Sequence, residues 1–282
     1  MRGDIEYSTV IDSDEARLAQ AAADKAPFQP SSEIDTSKFF ITQNMDLYTQ
    51  ENHEVWRTLY HERMKTLDEQ ASTVFLEGMR AIGLPGDSVP EVAAINANLA
   101  QRTGWQSRPV PGYLPAKAFF ACLANREFPT TITMRPKRLM HYLPEPDIFH
   151  DIFGHVPLHA DDVFAEFLQT YGKAALHCED PYHIERLGRL FWFTVEFGLI
   201  KEDGRTKLYG SGLISSLGES EHALHSKNVD RRPFDMDRVC ETPFEIDHYQ
   251  PILYVLDSFE QLRDGMNKYA ERVMNARKSS AA

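Results

Sequence analysis

Cysteine is scarce in this chain, with only Cys122, Cys178 and Cys240 among 282 residues. The odd count and the lack of any Cys-x-x-Cys spacing exclude a disulfide framework and a zinc ribbon, and a reducing cytoplasm is the expected location. Basic residues are also in short supply. Lys and Arg total 30 against 42 Asp and Glu, a net charge of -12, so on balance the phosphate backbone of a nucleic acid would be repelled. Long apolar runs are missing as well. The longest, Leu190 to Ile200, is too short to cross a bilayer and contains Glu196, and the opening Met-Arg-Gly-Asp-Ile-Glu-Tyr lacks the apolar centre of a signal peptide. No nucleic-acid or membrane partner is expected, and no repeat or clear linker divides the chain.

What is present suits a packed core: hydrophobic residues make up 42% of the chain, enough for it to fold without covalent staples. Residues 1–45 mix acidic and small residues and read as a partly flexible arm, with one helix expected between Asp12 and Lys25. Val55, Trp56, Leu59, Tyr60, Met64 and Leu67 recur at helical spacing, and a second helical run through Leu76 and Met79 stops at Gly-Leu-Pro-Gly, giving a helical hairpin. Ser88 and Pro90 read as the cap and first turn of a third helix ending at Gly104, and Arg108 to Leu114 reads as a loop feeding a helix from Pro115 to Leu123.

Further on, Thr130 to Met134 is expected as a strand with Arg135 at its end, Asp161 and Asp162 as a cap, and Pro181 as the start of a helix running to about Ile200. Thr206 to Tyr209 and Pro251 to Val255 suggest a minor sheet, with Gly210-Ser-Gly212 as a small-residue turn. Ser258 and Gln261 match a capping box before Phe259, Leu262, Met266, Tyr269 and Val273. That stripe is expected to pack on its own domain rather than form a coiled coil, because the repeat is short. The fold class expected is α+β, predominantly helical, with a small β-sheet, organised as one catalytic domain over residues 46–282.

Within this frame, Pro144 to Leu158 carries two imidazoles, His150 and His155, among apolar residues. Residues five apart on a regular helix point about 140° away from each other, so the pair is not the four-residue arrangement of zinc peptidases. Its rings converge only if the helix is distorted or ends near Gly154 and Pro157. Two hydrogen-bonded core histidines are the alternative. A second oddity is Glu196, the one charge inside Leu190-Phe-Trp-Phe-Thr-Val-Glu-Phe-Gly-Leu-Ile200. A carboxylate in such surroundings needs a cation, and either Arg186 or Arg189 of its own helix or a metal could supply the charge. Together His150, His155 and Glu196 make the two-histidine, one-carboxylate set that suits non-heme Fe(II); zinc is the competing metal.

Three segments, Pro-Glu-Pro-Asp-Ile-Phe-His-Asp-Ile-Phe-Gly-His-Val-Pro-Leu, Phe-Trp-Phe-Thr-Val-Glu-Phe-Gly-Leu and Tyr-Gly-Ser-Gly-Leu-Ile-Ser-Ser-Leu-Gly-Glu, occur in that order and spacing. They resemble the pterin-dependent aromatic amino acid hydroxylases, and within them the bacterial members that act on phenylalanine. The resemblance runs from about Arg108 to Gln250 and is expected to extend through the whole body from residue 45. It implies a mainly helical catalytic domain, Fe(2+) held by His150, His155 and Glu196, tetrahydrobiopterin as electron donor, and hydroxylation of L-phenylalanine to L-tyrosine by O2.

By the same resemblance the pterin lies over Arg108 to Phe119. Phe119 stacks on its ring, Gly112, Tyr113 and Leu114 bond its edge through the backbone, and Asp151, in place of the glutamate of animal members, stands within reach. Arg135 would clamp the substrate carboxylate, supported by Ser215 and by Asp147, which orients it. Pro146, His150, Trp192 and Phe197 would wall the ring pocket. Leu143 replaces a threonine of the animal enzymes, and Ile246, near an acidic position of tyrosine-specific relatives, favours phenylalanine. No regulatory domain of the kind that animal members carry before the catalytic part is expected, and with it no control by phenylalanine. A monomer is expected, with the C-terminal helix as the surface through which copies would associate. Alternatives within the family are tyrosine or tryptophan hydroxylation; outside it, a metal-dependent hydrolase or a non-catalytic pterin or amino acid binder.

Overall fold

The computed structural model describes residues 34–141, 146–178, 180–246 and 248–280, with side chains to Val273 in the last helix. The helix expected between Asp12 and Lys25, Leu143 and the Pro144-Glu145 start of the first motif lie outside the described residues. From Ile34 on, the chain lies on the body: Thr36 Oγ1 donates to Glu127 at 3.0 Å and Ile41 N–H to the Pro109 carbonyl at 2.9 Å.

The expected helical hairpin is α1 (Gln50–Gln70) and α2 (Thr73–Ile82). Thr49 and Asn52 close a reciprocal capping box at the start of α1, and Ser72 accepts from Phe75 N–H at the start of α2. Gly83 after α2 and Gly104 after the next helix take left-handed φ values of 66° and 75°, which end both helices without a Cβ penalty. That next helix, α3 (Val92–Thr103), begins later than Ser88 and Pro90 suggest. Its first N–H, on Val92, is taken by Gln43 Oε1 at 2.8 Å, a cap from a distant segment that no local pattern reveals.

Arg108 to Val110 is not loop but part of strand β1 (Gln106–Val110), and the strand expected at Thr130 begins earlier, as β2 (Glu127–Thr131). The two pair in parallel, Gln106 opposite Glu127 and Val110 opposite Thr131, bridged by α4 (Ala116–Ala124). Arg135 therefore follows β2 by four residues rather than ending it.

After α4 and β2 come a π-helical turn at Phe149–His155, a 3-10 turn at Val156–Ala160 and α5 (Asp162–Leu176), capped by Asp161 as its acidic pair suggests. The helix expected from Pro181 to Ile200 is three things in succession. Regular helix α6 (Pro181–Phe191) gives way to a second π turn, Trp192–Glu196, and then to strand β3 (Leu199–Glu202). A buried strand reads as a continuous apolar run, so its residues merge with the helix that precedes it. β3 pairs antiparallel with β4 (Arg205–Leu208).

Gly210-Ser-Gly212 is not a simple turn but leads into a short helix, α7 (Ser211–Ser215), followed by α8 (Leu217–His225), β5 (Asp230–Pro233) and α9 (Met236–Glu241). β6 (Ile252–Leu256) completes a sheet of order β4-β3-β6-β5, parallel at β3/β6 and β6/β5. The last helix, α10 (Phe259–Ser280), buries Phe259, Leu262, Met266, Tyr269 and Val273. This is the stripe its spacing predicts, and it packs on α5 inside the domain. One hydrophobic cluster joins most of these elements, and the molecule is mostly helical around two small sheets, as its class implies.

Candidate metal centre and its cavity

In a π turn the hydrogen bonds close five residues apart, so positions i and i+5 return to nearly one face. The Phe149–His155 turn therefore removes the 140° divergence of a regular helix. His150 Nε2 and His155 Nε2 come within 3.2 Å of each other. The second π turn presents Glu196 to them, with Oε1 3.2 Å from His155 Nε2 and Oε2 3.6 Å from His150 Nε2. Arg186 is committed elsewhere, to Asp237 at 2.9 Å and Glu241 at 3.1 Å, and Arg189 to Glu185 at 2.5 Å, so neither neutralises Glu196. Among the described residues this triad is the one His/Cys/Asp/Glu group whose ligand atoms converge.

The set fits a metal ion. One ligand atom from each residue lies within 4.8 Å of the others, close enough to surround an ion at the ~2 Å usual for nitrogen and carboxylate ligands. Protonation also suits: burial pushes the His150 imidazole down to about 4, so it is neutral at pH 7. Burial opposes the charge of Glu196, but His155, His150 and the Ser211 hydroxyl outweigh it and hold the carboxyl at about 2. A neutral imidazole and an anionic carboxylate are the states a divalent cation binds.

Hydrogen bonds behind the triad fix its orientation. The Ser215 hydroxyl donates to the Ser211 carbonyl at 2.8 Å and so accepts from His150 Nδ1–H at 3.0 Å, which leaves the lone pair on Nε2. Ser211 Oγ donates to Glu196 Oε2 at 2.7 Å. The His155 ring leans on Phe128, centroids 4.8 Å apart.

These contacts depend on close backbone approach. A Cβ at Gly210 would stand 2.4 Å from the Glu196 carbonyl oxygen, and one at Gly154 would stand 3.0 Å from that of Ser211. The two glycines let α7 lie against both π turns at once. Gly210→Ala is accordingly expected to overpack the junction and destabilise the protein by about 1–3 kcal/mol, visible as a lowered calorimetric Tm.

A cavity of about 170 Å³ opens beside the triad, lined by Gly112, Tyr113, Leu114, Phe119, Pro146 and Asp151 together with His150, His155 and Glu196. All five residues assigned to the pterin by resemblance thus share one cavity with the metal ligands. Asp151 Oδ2 accepts from Thr131 N–H at 2.7 Å, and burial pushes its carboxyl up to about 7.

Of the substrate residues, only Pro146 and His150 line that space. Asp147 and Ser215 instead hydrogen-bond to His150. Asp147 Oδ1 accepts from His150 N–H at 3.0 Å, and the Asp147 carboxylate grips Arg135 through Nε at 2.7 Å and Nη2 at 2.8 Å. Ser215 acts on His150 and has no hydrogen bond to Arg135. Trp192 and Phe197 pack on each other at 4.6 Å, and Trp192 stacks on Phe244 at 4.5 Å. Ile246 is 66% exposed.

Phe128 and Phe191 also line the cavity and were not singled out by sequence. Phe191 stands five residues before Glu196, the offset that separates the two histidines, and that repeat was the available signal. Ser211 had none, because its bond to Glu196 exists only once α7 has packed.

Comparison with known proteins supplies the family. The family described as biopterin-dependent aromatic amino acid hydroxylase matches residues 41–279. Phenylalanine-4-hydroxylase of Chromobacterium violaceum is 41% identical over 230 residues, covering 82% of this chain and 77% of the relative. That of Ralstonia nicotianae is 43% identical over 226 residues, covering 80% and 72%. The crystal structure of the Chromobacterium violaceum enzyme with bound iron(III) and oxidised cofactor 7,8-dihydrobiopterin superposes with a TM-score of 0.81 at 37% identity, over 93% of this chain and 92% of that one.

Proposed function

The chain belongs to the biopterin-dependent aromatic amino acid hydroxylases, and from that premise we propose that His150, His155 and Glu196 hold the ferrous ion with which it converts L-phenylalanine to L-tyrosine. It is a pterin-dependent non-heme iron monooxygenase, using Fe(2+) and tetrahydrobiopterin. The observation that carries the site assignment is the convergence of the triad on the cavity that also gathers Gly112, Tyr113, Leu114, Phe119 and Asp151.

When bound, the reduced pterin would supply the electrons, and iron the site, for splitting O2, one atom of which enters the ring. The chain's residues bind, orient and enclose. Two imidazoles and one carboxylate leave coordination positions open on the cavity side. Phe119 offers an aromatic face, and the backbone from Gly112 to Leu114 offers fixed donors and acceptors, for a flat heterocycle.

Arg135 has five N–H donors. Asp147 takes one on Nε and one on Nη2, and the Met140 carbonyl takes one on Nη1 at 3.2 Å. One hydrogen remains on each of Nη1 and Nη2, a pair suited to a substrate carboxylate. Asp147 keeps that fork aimed and, through the His150 backbone, ties it to the metal ligand. Pro146 and His150, with the Trp192 and Phe197 pair beyond, wall the substrate ring.

Among the described residues no helix is long and apolar enough to cross a membrane, and Cys122 and Cys240 are buried thiols outside any disulfide, which favours the cytoplasm. The apolar stripe of α10 is used within the domain, which favours a monomer.

Protein stripped by a ferrous chelator and resupplied with Fe(II), tetrahydrobiopterin, O2 and each aromatic amino acid in turn tests the reading. Tyrosine from phenylalanine is expected with iron and not with zinc, and with pterin consumed. A zinc-restored hydrolytic activity, or preferential hydroxylation of tyrosine or tryptophan, would count against it.

A further inference from the structure

Arg63 lies in the middle of α1 and is only 2% exposed. Its guanidinium is spent on the end of another helix: Nε donates to the Ile214 carbonyl at 2.7 Å and Nη2 to the Leu213 carbonyl at 3.4 Å, both in α7. Burial pulls the guanidinium down to about 10, with the charge of Glu221 opposing, so it is still a cation at pH 7. An apolar residue would fill the same place without that desolvation cost. What arginine adds is a grip on α7.

That grip matters because α7 cannot stand alone. It is five residues long and contains Gly212, far below the length at which a helix is stable in water. Its last carbonyls have no partners within the helix, and a cation is favoured at that end. On its other side α7 lies against the second π turn, where a Cβ at Gly212 would stand 2.9 Å from the Phe197 ring and 3.2 Å from the Glu196 carbonyl oxygen. One turn apart on this short helix are Ser211, whose hydroxyl donates to Glu196 Oε2 at 2.7 Å, and Ser215, whose oxygen is 3.0 Å from His150 Nδ1. Two of the three metal ligands are thus oriented from a helix that Arg63 holds at its end.

We infer that Arg63 is a positioning residue for the metal centre, fixing α7 so that the Ser211 and Ser215 hydroxyls stay on Glu196 and His150. The inference rests on the triad assignment made above and adds a residue from outside the three motifs that carry the resemblance.

The test uses Co(II) as probe and chelator competition as readout, with the full chain as wild type, Glu196→Ala, Arg63→Met, the pair Ser211→Ala, Ser215→Ala, and the triple variant that joins this pair to Arg63→Met. Methionine keeps most of the volume and removes every donor. Co(II) affinity is expected to fall by roughly 10–100-fold in the serine pair, the usual consequence of losing such partners, and by about 10-fold in Arg63→Met. The triple variant is expected to bind within about twofold of the serine pair, because residues that act through one shared contact are not additive. The metal-free Tm behaves differently. Arg63→Met should lower it equally with and without the serines, since the Leu213 and Ile214 carbonyls lose their donors in either case.

Unchanged Co(II) affinity in Arg63→Met would overturn the inference, and so would a triple variant whose loss is the product of the two separate losses. Glu196→Ala binding Co(II) as tightly as wild type would overturn the proposed function as well. Should Arg63→Met not fold, Arg63→Lys carries the same comparison: it keeps the charge but exchanges the planar fork for a single ammonium, so a smaller loss is expected, again absent when the serines are gone.

Discussion

Glu196→Ala is expected to abolish iron-dependent tyrosine formation, a loss well beyond the 10–100-fold typical for an outer hydrogen-bond partner of a metal site. The reason is arithmetic of donors. Two imidazoles 3.2 Å apart remain, with no anion to offset a divalent charge, and the metal is held by too few bonds to survive dilution. Glu196→Gln sharpens the experiment. It keeps the volume and can still accept from Ser211, but removes the charge, so the cavity retains its shape while the cation loses its counter-ion. Both variants should purify with little iron by elemental analysis. Wild-type rates of tyrosine formation from either would dispose of the triad.

The triad could be read before any coordinates because two violations of local rules coincided. A carboxylate inside an otherwise apolar helix needs a positive partner, and two histidines at a non-helical offset need a distorted helix; the π turns at Phe149–His155 and Trp192–Glu196 meet the second demand and bring the carboxylate to the two rings. Helices with strong stripes were equally legible, as α10 shows, because amphipathic spacing is a local property.

What stayed hidden depends on partners distant in sequence. β1, Gln-Ser-Arg-Pro-Val, has neither alternation nor branched residues over most of its length and is a strand because β2 lies beside it. The start of α3 is set by Gln43, and the change from helix to strand before Leu199 by pairing with Leu208 and Val255. At the site, the same holds for Ser211 and for the division of labour around His150. Arg135 and Asp147, assigned to the substrate through the resemblance alone, form a pair only 10% and 2% exposed in their side chains.

That pair sets the second large expectation. Asp147→Ala would leave the Arg135 guanidinium buried over the Phe149 ring with the Met140 carbonyl as its remaining acceptor. Breaking a buried pair from one side costs about 3–5 kcal/mol, because the stranded charge keeps its desolvation penalty and loses the attraction that offset it. At roughly 2–4 °C per kcal/mol for a domain near this size, Tm should fall by about 10 °C. The native protein should resist acid in the corresponding way. Burial works against the Asp147 charge, but Arg135 and two backbone N–H groups more than compensate and depress the carboxyl below its usual value. A depressed pKa gives stability that is complete above the unfolded value of about 3.9 and is lost as pH falls through the lower folded value, so this contribution survives to pH 4 and disappears only below it. Asp147→Ala should remove that acid-side dependence along with the stability. The double variant Asp147→Leu, Arg135→Met separates stability from function: an apolar pair of similar volume should restore much of the lost Tm, since no charge is left stranded, while KM for phenylalanine stays high because the fork for its carboxylate is gone. Recovery of a wild-type KM in that double variant would show that Arg135 serves the fold and not the substrate.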